Sequence, residues 1–287
     1  MKKSDKWFPY LLIGPSSLVI VFVLLLPLGY SIYCSMYKVN YMKFTEFVGF
    51  DNFIKVLSNP SYMAALGRTF YISAISLVFS LVLGIAFALW IHKLKRGLAY
   101  SVQLIVLIPW VTSQVVGALL WKWIFNEDLG LLNYFIALFG GGKLPLLSDA
   151  FLANVMLIFV STWRTIGYAM VNVLSGLKGI SLSTEEAARI DGTNSWQMLR
   201  YIRIPMLKTP LLLSTIILTL SNINNLVVPL TLTGGGPGTS TSVITIPIYR
   251  LAFESYQFGT SSALSIILFV ITVILSAIYV KAVRYEV

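Results

Sequence analysis

ALSIILFVITVILSAIYV, residues 263–280, runs without a single charged side chain. As a helix it would extend about 27 Å, close to the roughly 30 Å hydrocarbon core of a bilayer. A barrel strand would alternate apolar and polar residues instead, and this run does not. Working outward, further stretches of the same kind lie at 9–33, 69–91, 100–125, 150–177 and 209–232, and the quoted run sits within the last, 262–283. The sequence therefore predicts an all-α integral membrane protein with six transmembrane helices in one domain, 1–287. Composition agrees: 57% of residues are hydrophobic, 11% are charged, and mean hydropathy is +0.82. A soluble domain carries about 25% charged residues, so a soluble enzyme, a disordered chain and a disulfide scaffold are excluded.

The net charge is +10. In a membrane protein such an excess reflects basic residues held on the cytoplasmic side, and gives no reason to invoke nucleic acid. With the N-terminus inside, Lys2, Lys3, Lys6, Lys93, Lys95, Arg96, Lys178, Arg189, Arg200, Arg203, Lys208, Lys281 and Arg284 face the cytoplasm. They outnumber the outer Lys38, Lys43, Lys55, Arg68, Lys143 and Arg250, so both termini are expected to be cytoplasmic. The first apolar run is too long for a signal peptide and is read as a retained helix. Cys34 is the only cysteine and His92 the only histidine, which argues against a metal site and against histidine catalysis. The glycine-rich stretch 234–242 has no lysine, and Gly142-Lys143 is followed by Leu144. Neither is a P-loop, so no means of binding ATP is visible. That outer glycine stretch reads as a flexible loop. The outer segment 34–68 is amphipathic in places and would lie along the membrane surface. Pro27, Pro109 and Pro229 interrupt spans and would kink them.

The connection between the fourth and fifth stretches, 178–208, contains SLSTEEAARIDGTNSWQMLRYIRIPMLKTP. Ser183 and Glu186 have capping-box spacing, with Leu182 and Ala187 placed as a staple. Glu185 and Arg189 form an i,i+4 pair, and Gly192 supplies a left-handed helix end. This predicts a short helix over 183–191, a glycine corner, and a second helix over 194–202 leading to Pro205. A rigid cytoplasmic helix tied to two spans is a lever for another protein, although a capped surface loop without a partner would read the same way. Glu185 reads equally as an ordinary solvated charge.

The run Glu186-Ala187-Ala188, then Gly192, Ile202 and Pro205, resembles the EAA motif of ATP-binding-cassette importer permeases, and most closely the maltose-type sugar branch. Arg203, often threonine there, and Ile204, usually leucine, are departures. The stretch LTGGGPGTSTS, the tracts Ile248-Tyr249-Arg250 and Ala252-Phe253, and Trp163-Arg164 with Gly167-Tyr168 resemble the same permeases. The resemblance implies a maltose-type (type I) importer permease fold and a subunit that is not an enzyme. It would bind no cofactor itself, with ATP and Mg on two cytoplasmic ATP-binding-cassette ATPase subunits. Glu186, Ala187, Ala188 and Gly192 would be the core of the ATPase contact, with Glu185, Arg189 and Asp191 beside them. A second homologous permease subunit, most often a different chain, would complete the pore. An extracytoplasmic solute-binding protein would deliver cargo, and the complex would sit among lipid in the plasma membrane of a bacterium or archaeon.

Polar residues inside spans mark functional sites by default. Ser161, Arg164, Thr165 and Tyr168 fall on one face of the fourth span, and Ser221, Asn222, Asn224 and Asn225 fall near the middle of the fifth. Such amides and hydroxyls both donate and accept, as sugar hydroxyls do. They would also serve as interhelical hydrogen bonds worth about 0.6 kcal/mol each. The resemblance places the mid-membrane sugar pocket on Ser161, Thr165, Tyr168, Ser221, Asn222 and Asn225, and composition adds Asn224. Arg164 would bind an anionic substrate, pair with an acid of a partner subunit, or act as a gating or structural residue, and the last reading is favoured. No acid lies in the spans, so an ion-coupled secondary transporter or channel is the weaker alternative. An importer permease for a phosphorylated polyol, peptide or amino acid is the closer one.

Overall fold

In the computed structural model, residues 8–284 are described, with side chains over 12–281. Lys2, Lys3 and Lys6, on which part of the orientation argument rests, lie outside the described residues, as does the Arg284 side chain. The helices α1 (Phe8–Ile20) and α2 (Leu26–Ser35) are joined by a π-helical turn, Val21–Leu25. Then follow β1 (Tyr37–Asn40), β2 (Lys43–Phe47), α3 (Asp51–Leu57), α4 (Pro60–His92), α5 (Arg96–Val111), α6 (Gln114–Ile124), α7 (Leu131–Leu138) and α8 (Ala150–Lys178). The loop and C-terminal half contain α9 (Leu182–Ile190), α10 (Ser195–Gln197), α11 (Ile204–Met206), α12 (Lys208–Ile223), α13 (Val227–Leu232), α14 (Thr245–Tyr249) and α15 (Phe258–Arg284).

Four helical segments are long and apolar enough to cross a bilayer without a break: Leu12–Ser35, Pro60–His92, Ala150–Lys178 and Phe258–Lys281. Of the other two expected spans, the one over 100–125 corresponds to a bent pair, and the one over 209–232 overlaps only the second half of another. Arg96–Val111 meets Gln114–Ile124 at 97°, and Ser195–Met206 meets Lys208–Ile223 at 68°. The single helix expected over 100–125 is thus broken at Thr112 and Ser113, just past Pro109. The helix expected over 209–232 ends at Ile223 and resumes at Val227. Proline removes a hydrogen bond and crowds the preceding turn. Asn222, Asn224 and Asn225 are poor helix formers whose side chains compete for the backbone. Pro27 acts more gently, with the π-helical turn lying directly before it.

The described chain forms two compact units. One comprises the chain up to Met63 together with Pro247–Ile271. In it the outer segment 34–68 is more ordered than an amphipathic surface stretch. It is a hairpin of β1 and β2, followed by α3 and the start of α4. Asn52 Nδ2 donates to the carbonyls of Ser35 (2.9 Å) and Tyr37 (3.0 Å), tying α3 to the end of α2.

The other unit comprises Ala64–Ile246 with the chain from Thr272. Its axis is α8, which buries residues along most of its length. Toward one end Leu157 and Val160 pack with Ile72, Phe125, Val228, Leu232 and Ile246. Toward the other, Met170, Val173, Leu174 and Leu177 pack with Ala88, Ile91 and Leu207. Between these apolar clusters α8 carries Ser161, Thr162, Arg164 and Thr165, all buried. The outer glycine stretch is held in place instead of being loose: Thr241 is fully buried, and its hydroxyl meets Thr233 Oγ1 (2.7 Å) and donates to Gly236 O (2.8 Å).

Gly167 lets α5 approach α8. A Cβ there would lie 2.5 Å from Val106 O and 2.9 Å from Leu107 Cα, both rigid backbone. Gly167→Leu is expected to cost at least about 1–3 kcal/mol through overpacking. It should lower the thermal unfolding midpoint of the detergent-solubilised protein; an unchanged midpoint would contradict the packing.

Candidate functional site

Two sets of candidate residues occur, one in the loop and one between the apolar clusters of α8. In the loop, Ser181 rather than Ser183 caps α9, its Oγ accepting from Thr184 N at 3.3 Å. The capping box on Ser183 and Glu186, with its staple, is therefore absent. Two serines compete for the same role, and the earlier one gives the longer helix. Gly192 has φ +78° as its position requires, and Thr193 closes the end of α9 by donating from N and Oγ1 to Ala188 O (3.1 and 2.7 Å). A capping box does form farther on: Gln197 N donates to Asn194 Oδ1 (2.9 Å) and Asn194 N to Gln197 Oε1 (2.8 Å). The second helix outlasts its expected end at 202, continuing through a π-helical stretch, Met198–Arg203, into α11.

Glu185 is no solvated charge. It is 7% exposed and accepts a two-pronged contact from Arg203, Nε to Oε1 at 2.8 Å and Nη2 to Oε2 at 3.0 Å. Arg189, the partner expected from i,i+4 spacing, stands 3.8 Å away on the exposed side. The Arg203 hydrogen bonds hold the Glu185 carboxyl below the usual glutamate range, outweighing burial, which acts the other way. Positive charge on Arg203, His92 and Arg189 adds to the lowering. The sequence reading missed Arg203 in this role, although its departure from threonine was the available signal. Ala188 is also buried, whereas Glu186, Ala187, Arg189, Asp191 and Gly192 are exposed. Three apolar side chains share that exposure: Leu182 (70%), Ile190 (86%) and Trp196 (64%), of which the last two were not singled out.

Between the clusters of α8, the candidate residues divide by what already binds them. Thr165 is fully buried, its hydroxyl donating to Ser161 O (2.8 Å) and sharing a bond with Ser80 Oγ (2.7 Å). Asn224 is exposed and donates to Leu220 O (2.9 Å). Asn225 Oδ1 accepts from Val228 N (3.1 Å), capping α13. Helical spacing had placed Asn225 beside Ser221 and Asn222, but the helix ends before it. Arg164 is 6% exposed; its Nη2 donates to Ser221 Oγ (3.0 Å), and its guanidinium carbon lies 5.6 Å from the centre of the Trp110 ring. Tyr168 packs on the same Trp110, centroids 4.7 Å apart. Asn222 is buried with neither Oδ1 nor Nδ2 partnered, and Arg164 Nε has no partner. Arg164 thus joins α8 to α12 through Ser221 and to α5 through Trp110, while the Asn222 amide has no partner among the described residues.

Residues 69–284 match the family described as "Binding-protein-dependent transport system inner membrane component". The chain is 29% identical over 290 residues to the trehalose/maltose transport system permease protein MalF of Thermococcus litoralis, covering 100% of this chain and 97% of that one. It is 25% identical to the sulfoquinovosyl glycerol transport system permease protein SmoG of Agrobacterium fabrum (98% and 92% covered). To the sn-glycerol-3-phosphate transport system permease protein UgpA of Escherichia coli it is 28% identical (98% and 97% covered). Its fold matches a chain of a bacterial alginate ABC transporter in complex with alginate pentasaccharide-bound periplasmic protein. There the TM-score is 0.83 at 22% identity, over 96% of this chain and 93% of that one.

Arg203→Met would leave Glu185 buried without its partner, and about 2–3 kcal/mol of local stability should go with it. Because the Glu185 carboxyl is held low, its contribution is complete above the ordinary glutamate pKa. It is lost as pH falls through the lowered value. The protection factors of the α9 amides, which remove the intrinsic slowing of exchange in acid, should therefore fall on acidification in the wild type and not in Glu185→Gln; the same acid response in both would disprove this.

Proposed function

Since the chain belongs to the binding-protein-dependent transport system inner membrane component family, we propose that it is the permease subunit of an ATP-binding-cassette importer. It forms half of a pathway for a sugar or oligosaccharide. A second homologous permease supplies the other half, two cytoplasmic ATPase subunits dock on the α9 loops, and an extracytoplasmic binding protein delivers cargo. The complex sits in the plasma membrane of a bacterium or archaeon, with both ends of this chain inside. ATP and Mg act on the ATPase subunits, and this chain does no covalent chemistry.

One observation carries the proposal: the loop and the polar layer are mechanically continuous. The exposed face of α9 is clamped through Glu185 to Arg203, Arg203 leads into α11, and a 68° bend at Leu207 starts α12. α12 then runs 16 residues, about 24 Å, to Ser221 and Asn222. A push on α9 is thus delivered to the residues beside Arg164. Glu186, Ala187, Arg189, Asp191 and Gly192 form the docking face, while Glu185 and Ala188 hold that face in place from behind. Rocking of such helix bundles about a midplane site is the general scheme of alternating access. Sugar cargo is supported by the trehalose/maltose and sulfoquinovosyl glycerol permeases it is similar to, whereas the sn-glycerol-3-phosphate permease supports the phosphorylated-polyol alternative.

Gentle purification of the tagged chain from its native membranes, with mass spectrometry of what remains bound, tests the assembly. Recovery of an ATPase and a second permease is expected. A chain that emerges alone and moves solute without ATP would return the secondary-transporter reading. Gly192→Trp should leave ATP hydrolysis running while uptake per ATP falls at least about tenfold, the order of one lost contact of 1.4 kcal/mol; unchanged coupling would refute the docking face. Within the polar layer, Asn222→Ala should impair uptake and Asn224→Ala should not, measured as initial uptake rates at equal assembly. The reverse order would move the pocket elsewhere.

A further inference from the structure

We propose that the chamber beside Arg164 receives an anionic group of the transported molecule: a carboxylate, phosphate or sulfonate on a polyhydroxylated body. This rests on the reading of the chain as a sugar pathway, and it assigns Arg164 to cargo recognition instead of a purely structural or gating role.

The first support is charge. Arg164 is buried, and no carboxylate pairs with it among the described residues. Every acid of the chain lies outside the membrane stretches. A guanidinium removed from water without a counter-charge costs several kcal/mol. Ser221 Oγ and the Trp110 face are neutral, so they orient it without neutralising it. Its Nε remains unpartnered.

The second support is the wall opposite. A chamber of about 10 Å³ is lined by Arg164, Trp163, Pro109, Thr112, Ser113 and Gln114, among others. Thr112 to Gln114 are the break between α5 and α6, and α6 starts there. Ser113 makes no side-chain capping bond to it. Ser113 and Gln114, at the start of this eleven-residue helix, line the same chamber as Arg164, and helix N-termini favour anions. Two independent sources of positive potential converge where the chain provides no negative one.

The third is Asn222, next to the Ser221 that holds Arg164. Its buried, unpartnered amide offers one donor pair and one acceptor, suited to hydroxyls. A charged site with a neutral amide at its side matches an acidic sugar better than a simple ion or a neutral sugar. The chamber in this state is far smaller than any sugar, so cargo enters when the α5–α6 and α12–α13 breaks open.

The test uses the complete transporter, co-purified with its partners and reconstituted with its binding protein and ATP. Initial uptake is measured for a uronate trisaccharide, a sugar phosphate and a neutral trisaccharide. In the wild type, at least one acidic probe is expected to be taken up in preference to the neutral one. Arg164→Met should lower that uptake about a hundredfold, and Arg164→Lys should restore part of it, as loss of one partner of a buried charged contact implies. Co-purification of the subunits monitors assembly of each variant. Preference for the neutral probe, retained in Arg164→Met, would overturn the assignment. So would loss of the second permease from the Arg164→Met complex, which would mean that Arg164 serves an acid of that subunit. ATP-dependent uptake of none of the probes by the wild type would instead bring down the sugar-pathway reading itself, and this assignment with it.

Discussion

In hydrocarbon a peptide group has no water to bond, so a helix can stop only where something else satisfies its ends. That constraint governs where this chain is regular and where it is not. α4, α8 and α15 run unbroken, whereas the helices break between α5 and α6 and between α12 and α13 beside polar side chains. At the second break Asn225 caps α13, Asn224 returns a bond to Leu220, and the Thr245 hydroxyl donates to Asn225 O. The first break lies against Arg164 and Trp110. Irregular backbone and buried polarity therefore coincide in one layer, which is where a pathway needs atoms that can change partners.

The loop obeys a different logic. Outside the bilayer a short helix is marginal by itself, and α9 is held by its caps and by the Glu185–Arg203 pair. One end of that pair belongs to α9, the other to the stretch feeding α12. The pair holds two exposed segments at a fixed angle, which is what distinguishes a lever from a tether. Its two-pronged geometry resists twisting as well as separation.

Much of this was legible in the residues, and the failures are instructive. Apolar length located the four unbroken membrane-length helices, because hydropathy depends on composition alone. Gly192 was readable as a left-handed helix end, since few other residues accept that φ. The helix over 100–125 was not, because Pro109 announces a disturbance but not its size, and the 97° turn depends on what packs around Thr112 and Ser113. Ser221, Asn222 and Asn225 would share a side of an unbroken helix, with Asn224 added by composition; the helix ends at Ile223, so each asparagine has a different surrounding. Glu185 looked solvated because its partner lies 18 residues on in sequence, beyond any local pattern. The outer stretch 234–242 looked flexible because glycine and serine are counted as such, while Thr241 folds inward and ties it together.

The helical segment from Leu12 to Ser35 has an 18-residue window with none of its residues buried. Side chains such as Phe22 and Leu24, each 62% exposed, touch little but the surrounding medium. A helix that finds so little packing inside its own chain leaves its circumference to lipid or to another subunit, so its fit is settled in the membrane and not by the rest of this fold.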